Sequence, residues 1–96
     1  MTDAEIQEWT PAFEEAAAEI NEKINKTLSN DELKELYALF KQGSVGDVNT
    51  SRPGMLDIKG KIKWDAWASK KGMTRVEGMK AYIQFTKELF QKHGTR

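Results

Sequence analysis

Ninety-six residues, 39% hydrophobic and 31% charged, provide for one domain around one modest core. With no cysteine there is neither a disulfide framework nor a thiolate metal site, and no apolar stretch approaches the roughly 20 residues that span a bilayer. The formal charge of zero disfavours general nucleic-acid affinity but hides an asymmetry: residues 1–35 hold ten acids and three lysines, residues 36–96 twelve bases and five acids. A local basic site for one small anionic ligand stays open. The opening MTDAEIQEW lacks the basic start and apolar run of a secretory signal, so a cytosolic protein is expected.

Thr10-Pro11 reads as the start of a first helix, with threonine as cap and proline at the first helical position. Phe13, Ala16, Ala17, Ile20 and Ile24 then share an arc of about 100°. Ser29-Asn30-Asp31-Glu32 is a capping box opening a second helix, whose apolar face is Leu33, Leu36, Tyr37, Leu39 and Phe40 and whose stop signal is Gly43. Residues 43–56, GSVGDVNTSRPGML, form a long connection, either functional or a compact Ω-type loop. Its Val45, Val48, Met55 and Leu56 are expected to pack against the body.

The next stretch, DIKGKIKWDAW over residues 57–67, alternates lysine with apolar residues as a strand would, but no second strand is available to pair with it. Asp57 as cap, Ala66 and Ala68 as helix formers, and Lys70-Lys71-Gly72 as an end signal favour a third helix. On its wheel Ile58, Ile62 and Ala66 form one stripe and Gly60, Trp64 and Trp67 another, with Lys59, Lys63 and Lys70 in the seam and Lys61 pointing elsewhere. Thr74-Arg75-Val76-Glu77 caps a fourth helix, with Val76, Met79, Tyr82, Ile83, Phe85, Leu89 and Phe90 within about 180°. The expectation is an all-α protein of four helices.

The lysine seam has two readings. One is snorkelling at the edge of a core-facing helix; the other is a site for a ligand with an anionic and an apolar part. Helix two repeats the arrangement with Tyr37 and Lys41 as i,i+4 neighbours, and Tyr82 adds a phenol on helix four. No enzyme chemistry emerges. His93 sits at a helix end, the P-loop-like run from Gly54 to Lys61 has the wrong spacing, and no nucleophile–base pair or metal-ligand set is evident.

The run from Leu36 to Ile83 resembles the acyl-CoA-binding protein family, most specifically at Tyr37, Lys41-Gln42, VGDVNTSRPGM, KGKIKWDAW and MKAYI. Phe13-Glu14-Glu15-Ala16-Ala17 extends the likeness more weakly to helix one. The resemblance implies an antiparallel four-helix bundle in a single domain, residues 1–96, with residues 1–9 as an N-terminal extension. It implies high-affinity binding of medium- and long-chain fatty acyl-CoA esters by a monomeric cytosolic carrier and pool former. Catalysis, cofactor, metal, nucleic acid and transmembrane segment are not implied. By the same resemblance Tyr37, Lys41 and Lys63 fall at nucleotide and 3′-phosphate positions, Lys59 at a further ligand contact, and Tyr82 at the adenine. Leu33, Ala38, Leu39 and Phe40 lie where the binding surface runs toward the acyl chain, with Ala16 a further acyl-groove candidate. Phe40 departs from the tyrosine of many members, and Asn21 falls near a basic position of the family. The rival readings are a protein-docking module, a helix-turn-helix, and a thioesterase or acyltransferase. They are disfavoured, respectively, by the spread of Tyr37/Lys41, Lys63 and Tyr82 over three helices, the long 43–56 connection, and the missing nucleophile.

Overall fold

The computed structural model describes residues 3–24 and 27–95, and these form four helices: α1 (Asp3–Lys23), α2 (Asn30–Ser44), α3 (Ile58–Ala68) and α4 (Arg75–His93). Both capping boxes form. Ser29 Oγ accepts from Glu32 N at 3.1 Å while Glu32 Oε1 accepts from Ser29 N at 2.8 Å, and Thr74 and Glu77 repeat the exchange at the same distances. Asp57 caps α3 by accepting from Gly60 N at 2.9 Å.

The start of α1 differs from expectation. The helix begins at Asp3 rather than Thr10, and Pro11 lies inside it. An interior proline costs about 3 kcal/mol; here tertiary contact offsets it. Ile6 and Trp9 pack against the core, the Lys80 ammonium lies 4.9 Å from the Trp9 ring centre, and the Thr10 hydroxyl donates to the Ile6 carbonyl at 2.6 Å. Residues 3–9 of the extension are therefore part of the helix; Met1 and Thr2 lie outside the described residues.

Gly43 does not end α2 either. The helix runs on to Ser44 and the chain turns at Gly46, whose φ of 101° needs glycine. Gly43 instead marks the crossing of α2 and α4. A Cβ on Gly78 would stand 2.7 Å from Gly43 N and 2.9 Å from the Gln42 carbonyl carbon, so the two backbones touch there.

The core joins Phe13, Ala16 and Ile20 of α1 to Leu36 and Leu39 of α2 and Met79, Tyr82 and Leu89 of α4. Helix directions follow from the contacts. Glu32 at the start of α2 meets Lys92 and His93 at the end of α4, whereas Gly43 near the end of α2 meets Gly78 near the start of α4, so this pair is antiparallel. By contrast α1 runs in the same sense as α4: Phe13 packs on Tyr82, and Ile24 bridges to Thr95 where both helices have ended. Likewise Tyr37 with Lys63 and Lys41 with Trp67 advance together along α2 and α3. The long connection explains this, since it carries the chain back before α3 begins. The expected four-helix architecture thus holds, with α2 antiparallel to α4 and parallel to α3.

That connection is held by polar bonds, not by the apolar residues expected to pack. Met55 and Leu56 are 85% and 100% exposed, Val45 is exposed and Val48 half-buried. Arg52 grips Asp65 through two bonds of 2.9 Å, and the indole N–H groups of Trp64 and Trp67 donate to the Thr50 and Gly46 carbonyls at 2.9 and 2.8 Å. Asp47 Oδ1 accepts from Gln42 Nε2 and Gly72 N, each at 2.9 Å, which holds its carboxyl below the usual range, chiefly through the Gly72 N–H.

One carboxylate ties the two ends of the α2–α4 pair. Glu32 is held down to about 2 by the Ser29 N–H first, then by His93, with Lys92 adding a further bond. A depressed folded-state pKa contributes stability above the unfolded value near 4.5, and that stability is lost as pH falls from there through about 2. Urea midpoints of the wild type should fall over that window, and Glu32→Gln should show a shallower fall. Identical slopes for the two proteins would show that the Glu32 tie does not matter to acid stability.

Candidate functional site

A cleft of about 770 Å³ opens between α2 and α3. It is lined by Asn30, Asp31, Leu33, Lys34 and Tyr37 from one helix and Lys59, Ile62 and Lys63 from the other. The helical periods make this wall: 30, 33, 34 and 37 share a face of α2, and 59, 62 and 63 share one of α3. Lys63 Nζ lies 5.5 Å from the Tyr37 ring centre, a cation–π contact that fixes both side chains at the rim. Leu33 and Ile62 are 50% and 45% exposed, so the same cleft offers ammonium groups, a phenol and bare apolar surface. This is the chemistry an amphipathic anion needs: charge-assisted hydrogen bonds for the head and hydrocarbon contact for the tail.

Four of the residues expected at a site therefore meet here: Leu33, Tyr37, Lys59 and Lys63. Lys61 is not in the lining, as the helical wheel requires. Lys41, one turn beyond Tyr37, lies with its Nζ 4.8 Å from the Trp67 ring centre, and Trp67 itself is buried. Phe40 and Tyr82 stand apart from the cleft in an aromatic cluster with Phe13, with ring centres 5.2–5.8 Å apart. Phe40 keeps 38% of its surface. The Tyr82 ring is buried, and burial raises its pKa. Among the described residues the one buried polar side-chain atom without a partner is Gln42 Oε1.

Ala38, Leu39 and Ala16 lie outside this cleft. They are 1%, 3% and 9% exposed; Leu39 and Ala16 belong to the hydrophobic core, and none of the three lines the cleft. The reason is their turn of the helix: 36 and 39 face α4, while 33 and 37 face α3. Conversely, Asn30, Asp31, Lys34 and Ile62 line the cleft without having been expected at a site. Lys34 was visible as the i−3 neighbour of Tyr37, but its charge next to Leu33 reads equally well as a solvated face. Trp64 and Trp67 serve structure, as their bonds to the 46–50 backbone show.

Among the described residues no group of His, Asp and Glu is placed to hold a metal ion, and no helix is long and apolar enough to cross a membrane. The sequence pattern described as "Acyl CoA binding protein" matches residues 10–86. Acyl-CoA-binding protein homolog 1 of Caenorhabditis elegans is 51% identical over 85 residues, covering 88% of this chain and 98% of the relative. The crystal structure of Oryza sativa acyl-CoA-binding protein 2 superposes with a TM-score of 0.82 at 37% identity, over 90% of this chain and 92% of that one. That of the acyl-CoA-binding protein of Moniliophthora perniciosa does so at 0.79 and 33% identity, over 100% and 87%. Four-helix architecture, sequence pattern and close relatives agree: the chain belongs to the acyl-CoA-binding protein family, whose members bind and do not catalyse.

Proposed function

We propose that this protein binds medium- and long-chain fatty acyl-CoA esters with high affinity and serves as their cytosolic carrier and pool. The observation that carries the reading is the meeting of Lys59, Lys63 and Tyr37 with Leu33 and Ile62 in one cleft. The cations and the phenol hold the nucleotide and its 3′-phosphate, and the apolar walls shield the acyl chain. Lys41, one turn beyond Tyr37, and Tyr82, from the aromatic cluster with Phe13 and Phe40, complete the nucleotide contacts, and Phe40 adds apolar surface. The names of the relatives support the same ligand class. Each methylene buried contributes at most about 0.8 kcal/mol, and nanomolar affinity corresponds to about 12 kcal/mol, so a long chain supplies much of the binding energy.

Calorimetric titration with palmitoyl-CoA, CoA and palmitate tests this. Palmitoyl-CoA is expected to bind far more tightly than either part, and failure of all three to bind would overturn the reading. Affinity is also expected to climb with acyl length until the groove ends. Equal affinity for acetyl-CoA and palmitoyl-CoA would show that the protein offers no acyl groove.

A further inference from the structure

A second cleft, of about 400 Å³, adjoins the first and shares Asp31, Lys34 and Ile62 with it. On α3 the first reaches from Lys59 to Lys63 and the second from Ile62 to Ser69. Together they run from Lys59 to Ser69, the cap that ends α3, a rise of about 15 Å. One end carries Lys59 and Lys63, and Leu33 and Ile62 follow. Beyond them the walls turn polar, with Glu35 and Asp65.

Those two carboxylates already have close partners. Glu35 holds Lys70 Nζ at 2.8 Å, and Asp65 holds Arg52 through its two bonds. Lys34 is different. It stands at the join of the clefts with only Asp31 beside it at 3.4 Å, the longest of the three pairs, and the two side chains are 46% and 93% exposed. Such a pair exchanges partners at little cost. A hydrocarbon end laid against it would strip water from an ammonium and return nothing. A carboxylate there would replace both the water and Asp31 with a charge-assisted bond.

We propose that the groove accepts acyl-CoA thioesters whose far end carries a carboxylate, the mono-thioesters of long-chain dicarboxylic acids, and that Lys34 is the residue that meets that end. The inference rests on the acyl-CoA reading, with the thioester's nucleotide at Lys59, Lys63 and Tyr37 and its chain crossing Leu33 and Ile62. It names a ligand class which a uniformly apolar groove would reject.

Calorimetric titration of the full chain with lauroyl-CoA and with the mono-CoA thioester of dodecanedioic acid tests it. The wild type should bind the two within about threefold, and Lys34→Met should weaken the diacid thioester about tenfold more than it weakens lauroyl-CoA. Asp31→Asn, which frees the ammonium, should tighten the diacid thioester selectively. Thermal melts of both variants check that these exposed changes leave the fold intact. A loss of about tenfold or more in the wild type on adding the carboxylate overturns the proposal, as does an equal loss of both ligands in Lys34→Met. If neither thioester binds the wild type, the acyl-CoA reading itself falls, and this inference with it.

Discussion

Gly78→Ala should destabilise the protein by about 2 kcal/mol, although alanine is the better helix former by about 1 kcal/mol. The added methyl would lie 2.7 Å from Gly43 N and 3.1 Å from Gly43 Cα, and these are backbone atoms that no rotamer change can move. The α2–α4 pair must part, which loosens Leu36, Leu39 and Met79 at the centre of the core. Gly43→Ala is a useful comparison. Its methyl would meet the Phe13 ring at 3.0 Å and Met79 N at 3.1 Å, and the ring can shift, so a smaller loss is expected. In a domain of this size each kcal/mol moves the melting midpoint by about 4–8 °C, so urea and thermal denaturation would resolve the order. A Gly78→Ala protein as stable as the wild type would show that the helices do not cross this closely in solution.

The second large effect separates two lysines only two positions apart. Lys63→Ala should weaken acyl-CoA binding ten- to a hundredfold, because a lost charge-assisted phosphate contact costs roughly 1.5–3 kcal/mol. Lys63 lines the cleft with its ammonium over Tyr37, and Lys61, about 160° away on the same helix, does not line it. Lys61→Ala should therefore cost little beyond screened long-range attraction. The gap between the variants should narrow for a ligand lacking the ribose 3′-phosphate, since the partner is then already gone. Equal losses for the two variants in calorimetric titrations would remove Lys63 from the phosphate site.

Where the sequence was legible, the signal was local and had one physical meaning. Ser29 with Glu32, Thr74 with Glu77, and Asp57 each announce a helix start through a hydrogen bond that spans three residues, and each helix begins there. Periodicity placed the buried faces of α1 and α4 for the same reason. Misreadings arose where one local pattern has two causes. Thr10-Pro11 is a good start signal, but Ile6 and Trp9 bury on α4 and pull the helix on to Asp3. Gly43 carries the marks of a helix stop, and what it supplies is room for Gly78. The basic side of the site was readable because Lys59 and Lys63 share a face of one helix. Its acyl side was not, because Leu33, Ala38 and Leu39 are alike in hydropathy and only the neighbours of α2 decide which of them is covered.

The third helix is fastened differently from the other three. Trp67 is its one fully buried side chain; it packs chiefly on α2, and much of its remaining attachment is the bonding of Asp65, Trp64 and Trp67 to Arg52, Thr50 and Gly46 of the preceding loop. A segment with one buried side chain, fastened largely by exposed hydrogen bonds, is of the kind that opens locally at low cost. A ligand held between α2 and α3 would rest against that segment. Restraining it would draw on part of the ligand's affinity. Release of such a ligand would then depend on the loop's hydrogen bonds as much as on the contacts to the ligand.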